Sequence, residues 1–355
     1  MKSVLFFLFL GLLASCSGPK VQSASTEASL AQVLVAPVAP EKTLSRITFG
    51  SCAHQKNPQP IWSTLLADQP DLYIAMGDNI YASKSEDQPI AEQYKLQAKV
   101  PEFQKFRSLV PIVATWDDHD FGLNDGGAKN PKLDEARAAF LEFFPYDATR
   151  ISKQQKGVYH SFVFGEAPRR VNVILLDTRT FRSELEANPK PKSSMDKFVP
   201  TKNRKKTILG SEQWKWLEDE LRKPAELRIL VSSIQVIAEE HGFEKWANFP
   251  HERKRLFDLI KKTRAKNLLI VSGDRHLSEV SKLSLKGYGD LYDVTASSIN
   301  RPGSIESEKN KHRMGSLYSK ENFGEVVLDW EHKQALVEVK DINGQKLQEF
   351  TLNLK

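Results

Sequence analysis

Apolar residues along this chain come in short β-forming bursts that stop at a polar turn, and several of the intervals between them carry helical spacing. Residues 46–49 run into Gly50-Ser51-Cys52. Apolar spacing from Ile61 to Leu66 predicts a short helix, leading to a strand over 71–76 that ends at Gly77-Asp78. Residues 102–107 have helical spacing before a third β-rich run, 110–115, which stops at Trp116-Asp117-Asp118-His119-Asp120. Residues 171–176 end at Asp177-Thr178-Arg179. Residues 227–231 end at Ser232-Ser233, after a helix with Ser211 as its predicted N-cap and Trp214, Leu217 and Leu221 on one face. Residues 267–271 deliver Ser272-Gly273-Asp274-Arg275-His276. Alternation over 326–330 and 335–339, with the turn Asn343-Gly344, predicts an antiparallel hairpin. Helix-linked strands followed by hairpins predict a mixed α/β core of two sheets, packed in layers.

Four of these strand ends release metal-binding side chains: Cys52, then Asp78 and Tyr81, then the 117–120 cluster, then Asp274 and His276. In α/β sheets the carboxyl ends of strands open into the ligand crevice, so one site is assembled from several strands. A thiolate, a phenolate and an imidazole suit iron, whereas the carboxylates suit calcium, manganese or magnesium. This donor set predicts a metal-dependent hydrolase. Asp78 follows a glycine that lets the backbone turn close to the metals, and it is assigned as the carboxylate bridging two cations; the competing role is a helix cap. Cys52 admits three states, an inert buried residue, a reactive thiol or a metal thiolate, and its place at a strand end favours the last.

The amino terminus has Lys2 before a short apolar stretch that ends at Leu13-Ala14-Ser15-Cys16, which reads as a secretory signal over 1–15 with the form of a bacterial lipoprotein cleavage site. The expectation is a lipidated Cys16, a polar tether over 16–44 and a single catalytic domain over 45–355. The protein would then be an extracytoplasmic membrane lipoprotein, facing the periplasm or the cell surface. Of two cysteines in the sequence, lipidation of Cys16 would leave Cys52 without a disulfide partner. The formal charge of +6 is concentrated in Lys190, Lys192, Lys197, Lys202, Arg204, Lys205 and Lys206 and again at 309–313. Without interleaved aromatic residues these clusters read as solvated loops, so no nucleic-acid-binding module is expected. No protein partner is inferred.

Seven motifs, in order, resemble those of the alkaline phosphatase D (PhoD-like) family, a branch of the calcineurin-like metallophosphoesterases. They are Gly50-Ser51-Cys52, Gly77-Asp78 with Ile80-Tyr81-Ala82, Thr115 to Asp120, Leu176-Asp177-Thr178-Arg179 with Arg182, Leu209-Gly210 with Gln213 and Trp216-Leu217, Trp246 to Arg253, and Ser272 to His276. The resemblance implies a four-layer α/β/β/α sandwich with mixed sheets, an Fe(3+) and Ca(2+) cluster with manganese, magnesium or zinc as alternatives at the second site, and hydrolysis of phosphate monoesters and diesters by metal-activated hydroxide. It makes Cys52, Asp78, Tyr81, Asp118, Asp274 and His276 metal ligands. His119 becomes the acid for the leaving alkoxide and Asp120 the group that orients its ring. Asp117 and Asn124 are candidates for a further ligand or a supporting position. Asp177 and Arg179 are expected to pair at the crevice rim, with Arg179 on a substrate phosphate as the alternative. Against the family pattern, no room is expected for the all-β domain that often precedes the catalytic one, and the segment holding Asn124 and a lysine-rich insertion at 187–206 differ from it. Two other functions compete: a phospholipase D-like hydrolase of lipid headgroups, and a surface lipoprotein that binds metal or anion without turnover.

Overall fold

The computed structural model describes Met1, residues 35–82 and residues 89–355. The expected signal segment, Cys16 and the tether as far as residue 34 lie outside these, except Met1. In chain order the elements are β1 (Arg46–Gly50), α1 (Ile61–Ala67), β2 (Leu72–Met76), α2 (Ile90–Ala98), α3 (Pro101–Leu109), β3 (Ile112–Thr115), α4 (Leu133–Phe143), the single turn α5 (Pro145–Ala148), β4 (His160–Phe164), β5 (Val171–Leu175), β6 (Glu186–Ala187), β7 (Phe198–Val199), α6 (Gly210–Arg222), β8 (Leu227–Ser232), α7 (Pro250–Thr263), β9 (Leu268–Ser272), β10 (Ser278–Leu285), β11 (Gly289–Ala296), β12 (Arg313–Tyr318), β13 (Asn322–Asp329), β14 (Gln334–Asp341) and β15 (Lys346–Asn353).

Two mixed sheets result, one ordered β15-β14-β13-β1-β2-β3 and the other β12-β10-β11-β9-β8-β5-β4. Because side chains alternate along a strand, each sheet presents two apolar faces. Leu72, Ile74 and Met76 of β2 meet Val171, Val173, Ile229 and Val231 of the second sheet in a core between the sheets. On the opposite face of β2, Tyr73 and Ala75 pack under Trp62, Tyr94, Phe103 and Phe106 from α1, α2 and α3. Ile174, Leu230 and Ile270 pack under Trp214 and Leu217 of α6 and Leu256 and Ile260 of α7. The product is the four-layer α/β/β/α sandwich. Burial on both faces explains why β2, β5, β8 and β9 are buried throughout, as strands covered by helices require.

Two expectations need correction, and two strands lay outside the sequence pattern. The tether does not extend to residue 44: Ala36 and Leu44 are buried, Ala36 N–H bonds to Arg107 O at 2.8 Å, and Gly165 N–H bonds to Pro40 O at 2.7 Å. An Ala- and Pro-containing composition resembles a linker even where the segment lies along a surface. Ser211 is not the N-cap of α6; that position is Leu209, and Thr207 Oγ1 instead accepts the Gly210 N–H at 2.9 Å. Strands β10 and β11 escaped the periodicity because buried Glu279 and Asp293 interrupt their apolar faces. Those carboxylates are satisfied by tertiary partners, Gln235 and Arg313 for Glu279 and the Val236 and Ile237 N–H groups for Asp293.

Two predictions come from this packing. Gly324 faces Phe49 across the β1–β13 pair, and a Cβ at Gly324 would sit 2.1 Å from the buried Phe49 ring. Gly324→Ala is expected to cost about 2 kcal/mol of stability, read as a lower urea midpoint. Glu239 receives Lys311 Nζ at 3.0 Å, His312 Nε2 at 3.1 Å and Arg253 Nη1 at 3.0 Å. Burial would raise its pKa, but these partners overcome burial and hold the carboxyl at about 2. A carboxyl depressed on folding contributes stability above its unfolded value of 4.5, and that contribution is lost as pH falls toward 2. Glu239→Gln should therefore flatten the fall in stability between pH 5 and pH 3 measured by urea unfolding; an unchanged slope would rule the contribution out.

Candidate metal centre

Parallel pairing places the ends of β1, β2 and β3 side by side, and the ends of β5, β8 and β9 likewise in the other sheet. Sheet-on-sheet packing then sets the two rows of strand ends against one another. Ser51-Cys52, Gly77-Asp78, Trp116 to Asp120, and Gly273 to His276 all leave their strands into this one crevice.

The turns that carry the donors are unusual in backbone. Cys52 (φ 64°), Asp78 (φ 50°), Asp274 (φ 69°) and His276 (φ 56°) all adopt the left-handed conformation. Each costs on the order of 1–2 kcal/mol for a residue bearing a Cβ, a strain that collects where geometry serves a site. Gly77 makes the close approach possible: at φ 102° a Cβ there would lie 2.6 Å from Asp117 Cβ. Bonds between the turns lock the arrangement. Ala53 N–H donates to Asp78 O at 2.8 Å. Ser297 Oγ lies 3.2 Å from Cys52 Sγ and accepts the His276 N–H at 3.0 Å, joining donors from opposite sheets.

Three groups of donors converge, each with ligand atoms within 4.8 Å of one another: Cys52, Asp78 and His276; Asp78, Asp118 and His119; and Asp78, Asp117, Asp118 and Asp274. Asp78 belongs to all three. Tyr81 joins the first, its hydroxyl 2.9 Å from His276 Nε2. The crevice thus has a sulfur, nitrogen and phenol side and a carboxylate side, with Asp78 common to both. Cys52 is a free thiol and wholly buried.

Electrostatics make a cation the natural occupant. Burial, then the neighbouring Cys52, Asp118 and Asp117, push Asp78 well above the carboxylate range. Burial, then Asp117 and Asp118, do the same to Asp274. Burial raises Asp117 to about 8 despite Arg179 beside it. For Asp118 burial acts upward, but the charges of His119 and Arg179 and the Asp125 N–H outweigh it and keep the group at about 2. Burial lifts the Cys52 thiol to about 11. Asp117 Oδ2 and Asp118 Oδ1 are buried without a hydrogen-bond partner. Buried carboxylate oxygens without partners are costly, and a cation relieves both the desolvation and the mutual repulsion. The residues therefore fit a metal cluster.

Some expected roles change. Asp120 is buried, but its oxygens take the Asn79 N–H at 3.1 Å, the Asp117 N–H at 3.0 Å and the Tyr94 hydroxyl at 2.8 Å. These bonds brace the acidic turn, and the neighbouring His119 ring packs 4.1 Å from the Tyr81 ring while its backbone N–H donates to Asp78 Oδ1 at 3.2 Å. Asn124 is exposed and bonds Asp125 Oδ2, outside the converging groups. Asp177 and Arg179 do not form an ion pair. Asp177 accepts the backbone N–H groups of Val158, Arg179 and Thr180, while the Arg179 guanidinium, wholly buried, pairs with Asp117 at 2.5 Å and with Glu244 at 2.6 Å. Glu244 in turn holds Arg182 at 2.7 Å. Arg179 is thus enclosed by carboxylates behind the cluster. Glu244, Ser297 and Arg301 were missed by sequence reasoning. The run Ser297 to Arg301 carries the same signal used elsewhere, a polar segment at the end of a strand, here β11. Glu244 lies in a loop with no local signal.

With this geometry in place, comparison with known proteins agrees. A family model described as PhoD-like phosphatase matches residues 91–339. Alkaline phosphatase D of Bacillus subtilis (strain 168) is 25% identical over 288 residues, covering 69% of this chain and 48% of that protein, so the chain spans about half the length of this curated relative. A solved structure of PhoD superposes with a TM-score of 0.72 at 19% identity, covering 91% of this chain and 72% of that one. A purple acid phosphatase from yellow lupin (Lupinus luteus) seeds superposes with a TM-score of 0.61 at 13% identity, over 89% of this chain and 55% of that one.

The sharing of Asp78 and the bracing by Asp120 predict different losses. Asp78→Asn should deplete bound metal from both sides of the crevice, whereas Asp120→Asn should leave metal content near that of the wild type and lower the thermal midpoint instead. Elemental analysis beside thermal unfolding separates the two; equal metal loss in both variants would contradict the division of roles.

Proposed function

This chain belongs to the PhoD-like phosphatase family, and from that we propose that it is a metal-dependent phosphoric ester hydrolase, acting on monoesters and diesters from an extracytoplasmic position. The single observation that carries the proposal is the place of Asp78 in every converging donor group, a carboxylate set between a thiol, imidazole and phenol on one side and three carboxylates on the other. On donor chemistry, iron(III) suits Cys52, Tyr81, Asp78 and His276, and calcium suits Asp78, Asp118 and Asp274, with Asp117 as a further oxygen donor and manganese, magnesium or zinc as alternatives. When bound, such cations activate a water and neutralise charge on the phosphoryl oxygens.

The chain's own residues do the rest. His119 is held by its backbone on Asp78 and by its ring against Tyr81, and it supplies the proton to the departing alkoxide. Asp120, Asn79 and Tyr94 keep the 117–120 turn rigid beneath it. Arg179, clamped by Asp117 and Glu244, fixes one carboxylate from behind and is not free to meet the substrate. The lipoprotein assignment rests on the sequence of residues 1–16 alone, with Cys16 as the lipidated residue that tethers the catalytic domain to a membrane.

Purified protein should contain a transition metal and hydrolyse p-nitrophenyl phosphate and bis(p-nitrophenyl) phosphate. Cys52→Ala should lose that metal and at least about 100-fold in kcat. Tyr81→Phe should lose any visible absorption due to a phenolate on iron(III). Absence of ester hydrolysis after iron and calcium loading would sink the proposal, and preferential cleavage of phosphatidylcholine would move the substrate to lipid headgroups.

A further inference from the structure

Arg301 stands just past β11, at the rim of the metal centre. Its guanidinium carbon lies 5.2 Å from the centroid of the Tyr81 ring. Its Nε is buried without a hydrogen-bond partner, and among the described residues no carboxylate comes within ion-pair distance of its side chain. Five other deeply set arginines are matched, Arg179 by Asp117 and Glu244, Arg182 by Glu244, Arg275 by Glu308, Arg313 by Glu279, and Arg228 by three carbonyls, while Arg107 donates to Phe143 O and lies over the Phe143 ring. A half-buried guanidinium left unmatched is unfavourable unless an anion completes it.

The mount beneath Arg301 is rigid. Asn300 accepts the His54 N–H at 2.6 Å and donates to His54 O at 2.9 Å, and Gly303 N–H bonds to His276 O at 2.8 Å. The neighbouring surface is also polar. His54 stacks on Tyr81 at 4.9 Å, and because its Nδ1 accepts the Lys56 N–H at 3.2 Å, the neutral ring carries its proton on Nε2. Burial lowers both His54 and His276, the latter to about 4, and the Arg301 charge adds to each. Tyr81 therefore has a hydroxyl turned to His276 and a ring bordered by Arg301, His54 and His119.

We propose that Arg301 is the anion grip of this site, binding non-bridging oxygens of the substrate phosphoryl group and favouring dianionic monoesters over monoanionic diesters. The inference rests on the phosphoesterase assignment. A planar guanidinium offers paired N–H donors that fit two phosphoryl oxygens, and a monoester presents one more anionic oxygen than a diester. Because the side chain makes no hydrogen bond among the described residues, its replacement should leave the fold intact.

The test uses the metal-loaded full chain as wild type, Arg301→Ala and Arg301→Lys. Both steady-state constants are measured on p-nitrophenyl phosphate and bis(p-nitrophenyl) phosphate, and inorganic phosphate binding is measured by calorimetry. Arg301→Ala should lower kcat/KM on the monoester by roughly 30-fold and on the diester by only about 3-fold, weaken phosphate binding by roughly 10-fold or more, and leave the thermal midpoint unchanged. Arg301→Lys should recover part of the monoester rate. Equal losses on the two esters, or phosphate affinity unaffected by Arg301→Ala, would overturn the grip. If the wild type hydrolyses neither ester, the phosphoesterase assignment falls, while the phosphate calorimetry still decides whether Arg301 holds the anion.

Discussion

Much in this protein depends on crowding anionic donors into a buried crevice. Asp78, Asp117, Asp118 and Asp274 come together with Cys52 at the meeting of two rows of strand ends, and Arg179 is the cation that closes on them from within the chain. Burial and mutual repulsion favour the protonated forms of Asp78, Asp117 and Asp274, while Asp118 is kept ionised, so the arrangement is at ease only when external cations complete it. The left-handed turns at Cys52, Asp78, Asp274 and His276 are the local cost of bringing donors this close, and the surrounding sandwich holds them there.

That sandwich does so through cross-sheet ties as well as apolar packing. Thr115 at the end of β3 donates to Leu176 O beyond β5 at 2.6 Å, and Ser297 touches both Cys52 and His276. Behind the carboxylates, Asp117, Arg179, Glu244 and Arg182 form an alternating chain of charge in which each member is matched. Such a network loses much of its value if one partner is removed, because the remaining charge stays buried. It explains how an acidic turn can be rigid without metal-binding residues having to support one another. The rim differs from the interior in this respect: among the described residues Arg301 has no such partner, so its charge is left for what enters the crevice.

The elements nearest the site were the easiest to find. Strands β1, β2, β3, β5, β8 and β9 are mostly apolar and almost wholly buried because helices cover one face and the other sheet covers the opposite one, and each runs into a polar residue or glycine. Strands β10 and β11 were not visible, since Glu279 and Asp293 look like solvent-facing residues until Arg313, Gln235 and two backbone N–H groups arrive from distant segments to satisfy them. The start of α6 was misplaced by two residues for a related reason, a helix end satisfied from Thr207 rather than by its own serine.

The order and chemistry of the donors, Cys52, Asp78, Tyr81, the 117–120 cluster, Asp274 and His276, were carried by the sequence alone, because a strand that ends in a crevice must release its ligands locally, within a few residues. What each neighbouring group does was decided by tertiary structure. Asp120 braces its own turn, Asn124 faces solvent, Arg179 chooses Asp117 and Glu244 over the nearby Asp177, and Arg301 reaches Tyr81 across 220 positions of chain. Side-chain partners are set by which loops the two sheets press together, and that contact has no period and no fixed spacing along the chain.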